Sequence, residues 1–320
     1  MNAADMRVNK TLMRREFWEN RSLWLVPSVV AGVLTVLTLY MLVAVLVGHS
    51  NTVNNVDIAN GPHFQLDNMP DLRDASDTEI TGLVRIMTGG LGAIFNIIMQ
   101  IVVFFYLLDS LYADRRDRSV LFWRSMPVSD TRTVLSKLAT ALFALTAVTF
   151  AVTVAFQLVL VVLELIMGSV LGVHPFVLLA HPGAFLGAWL LLAYGLIVQA
   201  VWMLPFYGWF MLASSWAKKT PFLWAVLVPL GIIGAEGWVF HSFRFGRMIF
   251  AHRLDWLGLA YNFDPTSFRG EQGAEFMGGS IFGIGNIGQL LASPELWIGT
   301  VLAAGFIYGA IWLRRLRTEI

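Results

Sequence analysis

Apolar residues in this chain do not alternate with polar ones; they gather into long unbroken runs separated by short charged or polar stretches. A helix needs about 20 apolar residues to cross roughly 30 Å of hydrocarbon at about 1.5 Å per residue. Six runs reach that length, over Leu23–Val47, Gly90–Leu108, Leu138–Met167, Ala184–Ala213, Phe222–Phe243 and Glu295–Leu313. They predict an all-α integral membrane protein, a single domain over 1–320 with six transmembrane helices. The third and fourth runs are long enough to tilt or to extend past the bilayer. The first is too long for a signal-peptide core and has no small-residue cleavage pattern behind it, so it reads as a permanent span. The stretches between the runs divide into an interfacial segment over 1–22, loops over 48–89 and 109–137, and a partly apolar segment over 244–294.

Composition agrees with that pattern. Apolar residues make up 57% of the 320 and charged residues 13%, about half the charged share of a soluble domain. With no cysteine, disulfides, thiol catalysis and thiolate metal sites are excluded. The net charge of +1 conceals a strong asymmetry. Arg7, Lys10, Arg14, Arg15 and Arg21 precede the first run, and Arg115, Arg116, Arg118, Arg124, Arg132 and Lys137 follow the second. Lys218 and Lys219 follow the fourth, and Arg314, Arg315 and Arg317 follow the last. The positive-inside rule makes those segments and both termini cytoplasmic, in a multi-pass protein of the cell membrane, expected to be a bacterial inner membrane. The 48–89 loop is acidic and falls outside. The 244–294 segment is external on this topology yet carries Arg244, Arg247, Arg253 and Arg269. It reads as an interfacial or re-entrant helix whose arginines reach for headgroups.

Between the second and third runs lies ADRRDRSVLFWRSMPVSDTRTVLSK, beginning at Ala113. Charges at Asp114, Arg115, Arg116 and Arg118 precede an apolar block, Val120 to Trp123. Pro127 disfavours helix at Met126, and Ser129 or Asp130 can cap the next helix. A short surface helix followed by a hard turn is a suitable lever for a partner. Read from charge alone, the same stretch is a basic loop that sets topology.

The stretch resembles the cytoplasmic loop of type 2 ATP-binding-cassette (ABC) transporter permeases, which has an acidic-basic-basic cluster, a hydroxyl residue, a hydrophobic block and a Ser-x-Pro-x-Ser turn. Here these read Asp114-Arg115-Arg116, Ser119, Leu121-Phe122-Trp123 and Ser125-Met126-Pro127-Val128-Ser129. The resemblance covers about 25 residues closely and the six-span layout loosely. It implies a coupling helix that contacts a separate ATPase through Asp114, Arg115, Arg116, Arg118, Ser119, Leu121, Phe122, Trp123, Pro127 and Ser129. It also implies two ATPase copies carrying ATP and Mg, a second permease copy (the same chain or a related one), and export as the direction of transport. The N-terminal amphipathic stretch Thr11 to Trp24, with Met13 and Phe17 on one side and Arg14, Arg15 and Glu19 around it, would be the interfacial helix of such proteins.

Other chemistry is not encoded. There is no Gly-x-x-x-x-Gly-Lys-Ser/Thr phosphate cradle, so the chain by itself is not expected to be an enzyme or to hold a nucleotide. Gly283-Ile-Gly285-Asn-Ile-Gly288 matches a dinucleotide fingerprint in letters but follows no strand. Six scattered histidines have no metal-ligand spacing, no nucleophile elbow occurs, and no nucleic-acid surface is read from the basic clusters. Within the spans, Glu164, Glu236, Gln157 and Gln199 are candidates for a substrate path or for fixing the external segment. Asn96, Gln100 and Gln199 also suit ordinary interhelical hydrogen bonds. Two rival functions remain open at this point: a membrane scaffold or sensor that recruits a soluble partner, and a gradient-driven transporter using Glu164 or Glu236.

Overall fold

The computed structural model describes residues 3–53, 76–117, 128–171, 181–261 and 287–316. Every regular element among them is helical. In chain order they are α1 (Ala3–Glu19), α2 (Ser22–Val53), α3 (Asp77–Arg116), α4 (Asp130–Phe143), a π-helical turn (Ala144–Val148) and α5 (Thr149–Leu171). After these come α6 (Pro182–Trp202), α7 (Leu204–Trp216), α8 (Pro221–Phe240), α9 (Arg244–Tyr261), α10 (Ile287–Ala292) and α11 (Pro294–Leu316). Six stretches are long and apolar enough to cross a membrane: Ser22–Val47, Asp77–Arg116, Asp130–Ser169, Pro182–Trp202, Pro221–Phe240 and Pro294–Leu316. Helices suit hydrocarbon because they satisfy their own backbone donors and acceptors.

Several boundaries differ from the expectation. The second span is the middle of a 40-residue helix, about 60 Å long at 1.5 Å per residue. Its start is set by a reciprocal cap: the Glu79 amide donates to Ser76 Oγ (3.4 Å) and the Ser76 amide to Glu79 Oε2 (2.8 Å). That Ser-x-x-Glu signal was present within the stretch read as a 48–89 loop. The loop is therefore narrower, since α2 runs to Val53 and α3 begins at Asp77, while 54–75 lie outside the described residues. The 109–137 loop narrows likewise. Asp109–Arg116 complete α3 and Asp130–Lys137 open α4. Ser129 caps α4, accepting from the Arg132 amide at 3.3 Å, as its position before the run implied. In the 244–294 segment a helix does form, over Arg244–Tyr261, and 262–286 lie outside the described residues.

The fourth run breaks in two at Met203. Pro205 has no amide hydrogen to give and its ring crowds the carbonyl four residues back, so α6 stops and α7 restarts without a loop. In the third span the π turn inserts one extra residue between α4 and α5, which rotates the face that α5 presents to the bundle.

The spine of the bundle is α3, packed against α2, α4, α5, α6, α7 and α8. Phe95, Met99, Val103 and Leu107 on α3 are fully covered by neighbours, as are Leu145, Trp202 and Met211. The most extensive contact joins α7 to α11. A Cβ on Gly208 would stand 3.1 Å from the Ala303 carbonyl oxygen and 3.2 Å from Phe306 Cβ, so glycine lets the two backbones approach. By contrast α2 and α8 are largely uncovered apolar helices. Glu16 of α1 pairs with Lys137 of α4, Lys137 with Asp114 of α3, and Arg314 of α11 with Asp114 and with Asp130 of α4, which places α1, the end of α3, the start of α4 and the end of α11 at one end of the bundle. Asp77 and His181, 2.9 Å apart, mark the other.

Substituting Gly208→Val should destabilise the detergent-solubilised protein by about 1–3 kcal/mol, the usual scale of overpacking. Gly231→Ala should leave stability almost unchanged, because nothing lies within 4 Å of a Cβ there. Thermal unfolding followed by size-exclusion chromatography checks both.

Candidate functional site: the charged end of the bundle

Five charged side chains from four helices meet where α3 ends and α4 begins. Lys137 Nζ lies 3.0 Å from Glu16 Oε1 and 3.5 Å from Asp114 Oδ1. Arg314 reaches Asp114 Oδ2 through Nη1 at 2.6 Å and Asp130 Oδ1 through Nε at 3.1 Å. The Tyr106 hydroxyl sits beside Glu16 Oε2 (3.4 Å) and the Lys137 carbonyl (3.3 Å). Lys137 and Arg314 retain only 7% and 3% of their side-chain exposure. Each cation thus bridges two carboxylates, and Asp114 is the shared anion between them.

Local sequence explains how each group arrives. On α1, Leu12 and Glu16 are four residues apart and form the buried face, with Met13 and Phe17 half-buried beside it. Phe17 meets Phe143 of α4 edge-on, with centroids 6.1 Å apart. On α4, Thr133, Ser136, Lys137 and Thr140 are all buried, and the Ser136 and Thr140 hydroxyls are satisfied by backbone carbonyls of their own helix. Only the Lys137 ammonium needs partners from elsewhere. A charge withdrawn from water is tolerated when it is paired and hydrogen-bonded, as here, and removing one member of such a pair leaves the others stranded.

Arg115 faces away from that network, toward the end of α7. Its guanidinium donates to the carbonyls of Ser214 (2.6 Å) and Ala217 (2.9 Å), where the helix leaves carbonyls unpaired and carries partial negative charge. Ser214 Oγ in turn accepts from the Leu111 and Tyr112 amides at 3.1 and 3.0 Å. The last two turns of α3 are thereby joined to α1, α4, α7 and α11.

Of the residues singled out from the sequence, Asp114 and Arg115 turn inward and make these ties. Arg116 is exposed, 3.0 Å from Asp117 Oδ1, and this hydrogen bond holds the Asp117 carboxyl below its ordinary range. Ser129 is the α4 cap. Arg118, Ser119, Leu121, Phe122, Trp123 and Pro127 lie outside the described residues.

The four candidates within the spans occupy separate places. Gln157, 1% exposed, accepts from the Trp189 indole at 2.9 Å and donates to the Thr88 hydroxyl at 2.8 Å, tying α5 to α3 and α6. Gln199 and Asn96 exchange amide hydrogen bonds at 2.6 and 3.0 Å. Gln100 Oε1 accepts from Tyr207 at 3.2 Å. All four amides thus serve interhelical packing. Glu236 accepts from the Ser242 hydroxyl (2.8 Å) and the Arg244 and Phe245 amides (2.8 and 2.9 Å). It therefore closes the turn into α9 and caps that helix through its backbone amides. Glu164 is half-buried with no hydrogen-bond or ion-pair partner among the described residues. No polar contact joins these four to one another.

Glu16 and Tyr106 were not singled out from the sequence, Asp130 was read only as a possible helix cap, and Lys137 and Arg314 only as topological cations. One signal was available: a carboxylate one turn from Leu12, on the apolar side of an amphipathic helix. The fold and this charged end define a multi-pass helical membrane protein whose first helix is fastened to its bundle by buried ion pairs. No family model, no curated protein and no solved structure matches the chain.

Replacing Lys137 by Met should lower stability by about 3–5 kcal/mol, the scale of a broken buried pair. Adding Glu16→Gln should return part of that loss, while exposed Arg116→Gln should cost almost nothing. A double-mutant cycle on thermal unfolding in detergent measures the coupling.

Proposed function

We propose that this chain is the membrane subunit of an ATP-driven ABC exporter, working with a second permease copy and two separate ATPase subunits that carry ATP and Mg. In this reading the segment from Arg116 to Ser129 is the coupling helix and its turn. The end of the bundle holding Glu16, Asp114 and Arg314 faces the cytoplasm. There, α1 is an interfacial helix, and α9 belongs to an external segment before the last span.

The observation that carries the reading is where the family-like segment is attached. It hangs between Arg116 and Ser129, directly beyond side chains that tie α3 to α1, α4, α7 and α11. A push on this segment would reach five helices through ion pairs and hydrogen bonds. Such a lever shifts a transport equilibrium only if ATP favours one of the two arrangements over the other. Closure of an ATPase dimer on ATP would supply that difference, tilting the spans outward, and hydrolysis would reset them. With Gln157, Gln199 and Asn96 engaged in packing, a substrate path is better sought between two copies than inside one.

Affinity purification in mild detergent should recover a stoichiometric P-loop ATPase. Leu121→Ala with Phe122→Ala should weaken that association about tenfold or more, the scale of aromatic hot spots, while membrane insertion is kept. Recovery of no ATPase, or normal ATP-dependent transport by the double variant, would overturn the proposal. ATPase binding without substrate movement would point to a scaffold.

A further inference from the structure

Beyond the buried ion pairs, α1 carries a second set of charges that nothing among the described residues answers. Arg7, Lys10 and Arg14 are exposed and make no ion pair or side-chain hydrogen bond among the described residues. At about 100° per residue they fall within a sector of roughly 60°, and Trp18 continues the same stripe. The face opposite, through Leu12 and Glu16, is the one packed on α4. Among the described side chains of α1, the acidic groups do not neutralise the stripe: Glu16 is buried on Lys137, and Glu19 is held by Arg15 at 2.6 Å.

The depth of this stripe is fixed by its aromatic end. Trp18 is 58% exposed and lies four residues before Ser22, where the first membrane-crossing stretch opens. Its ring meets Trp24, inside that stretch, edge-on at 6.2 Å. An indole at the mouth of an apolar span belongs at headgroup depth, where its ring is apolar and its N–H is wet. The three cations follow it on the same helix face, so they stand at or just outside the phosphate layer. A soluble protein could meet the cations, but it could not host an indole at the start of a span.

We infer that the outer face of α1 is a docking surface for anionic phospholipid headgroups, with Arg7, Lys10 and Arg14 taking the phosphates and Trp18 seated beside them. The arrangement is that of an interfacial helix whose binding adds apolar burial to electrostatic attraction. This inference rests on the membrane-spanning fold and not on the ATPase reading.

The absence of native cysteine makes the test clean, because Val8→Cys introduces a single labelling site on an accessible flank of α1, outside the cationic stripe. The full chain, labelled there with a fluorescent donor, is reconstituted in phosphatidylcholine vesicles. These contain a small fraction of acyl-labelled acceptor lipid, either phosphatidylglycerol or phosphatidylcholine. Energy transfer to phosphatidylglycerol should exceed that to phosphatidylcholine by about twofold or more. The difference should shrink as salt shortens the Debye length from about 10 Å toward 3 Å. Arg7→Gln, Lys10→Gln and Arg14→Gln together should abolish it without loss of helicity by circular dichroism, since all three side chains are exposed. Equal transfer to both lipids in the parent chain would overturn the inference. So would a phosphatidylglycerol preference that survives the triple substitution, or loss of transfer to both lipids when a co-purifying soluble protein covers the label.

Discussion

Lys137 is an ammonium almost wholly withdrawn from water, and the arrangement at its end of the bundle keeps it from being alone. Glu16 and Asp114 hold it, Asp114 is shared with Arg314, and Arg314 turns to Asp130. In hydrocarbon, packing and hydrogen bonds must join helices that gain nothing from hiding apolar surface, since the lipid is equally apolar. A shared-ion network is a directional substitute for that missing drive. It specifies which helices meet, because any other register would leave a charge stranded.

The same requirement recurs along α3. At the far end Thr88 pairs with Gln157, near the middle Asn96 pairs with Gln199 and Gln100 with Tyr207, and in the last turns the partners are Ser214 and the carbonyls that end α7. Each is a polar group that would be costly if unpaired in this setting. The two departures from regular α-helix sit in partners of α3, one at Met203 and one at Ala144–Val148. Glycine at 208 then allows α11 to close against α7, and α11 delivers Arg314 to the network.

A helix fastened in this way can pass on a displacement. The last turns of α3 meet the rest of the bundle through side chains with fixed partners, so movement at the end of α3 has a physical route to α1, α4, α7 and α11. The first helix is also two-faced in its chemistry. Its inner face is locked by Glu16, while its outer face offers three cations and an indole to the surroundings. A helix held on one side by ion pairs and on the other by headgroups would register both the state of the bundle and the charge of the membrane surface.

By itself, the sequence determined the class of fold. Apolar runs of span length leave the backbone no alternative to helix in lipid, and the Ser129 cap was local enough to be foreseen. Helix ends were less legible: the Ser76 and Glu79 cap lay in an acidic stretch that resembled a loop, and Pro205 lay inside an otherwise unbroken apolar run. Only the tertiary structure decided which charges are partners. Glu16, Asp114, Lys137 and Arg314 are separated by up to roughly three hundred positions in the chain. Periodicity reports which face of a helix is apolar, but not which helix will lie against it. Pairing of buried charges depends on that second fact, so it became visible only once the helices were in place.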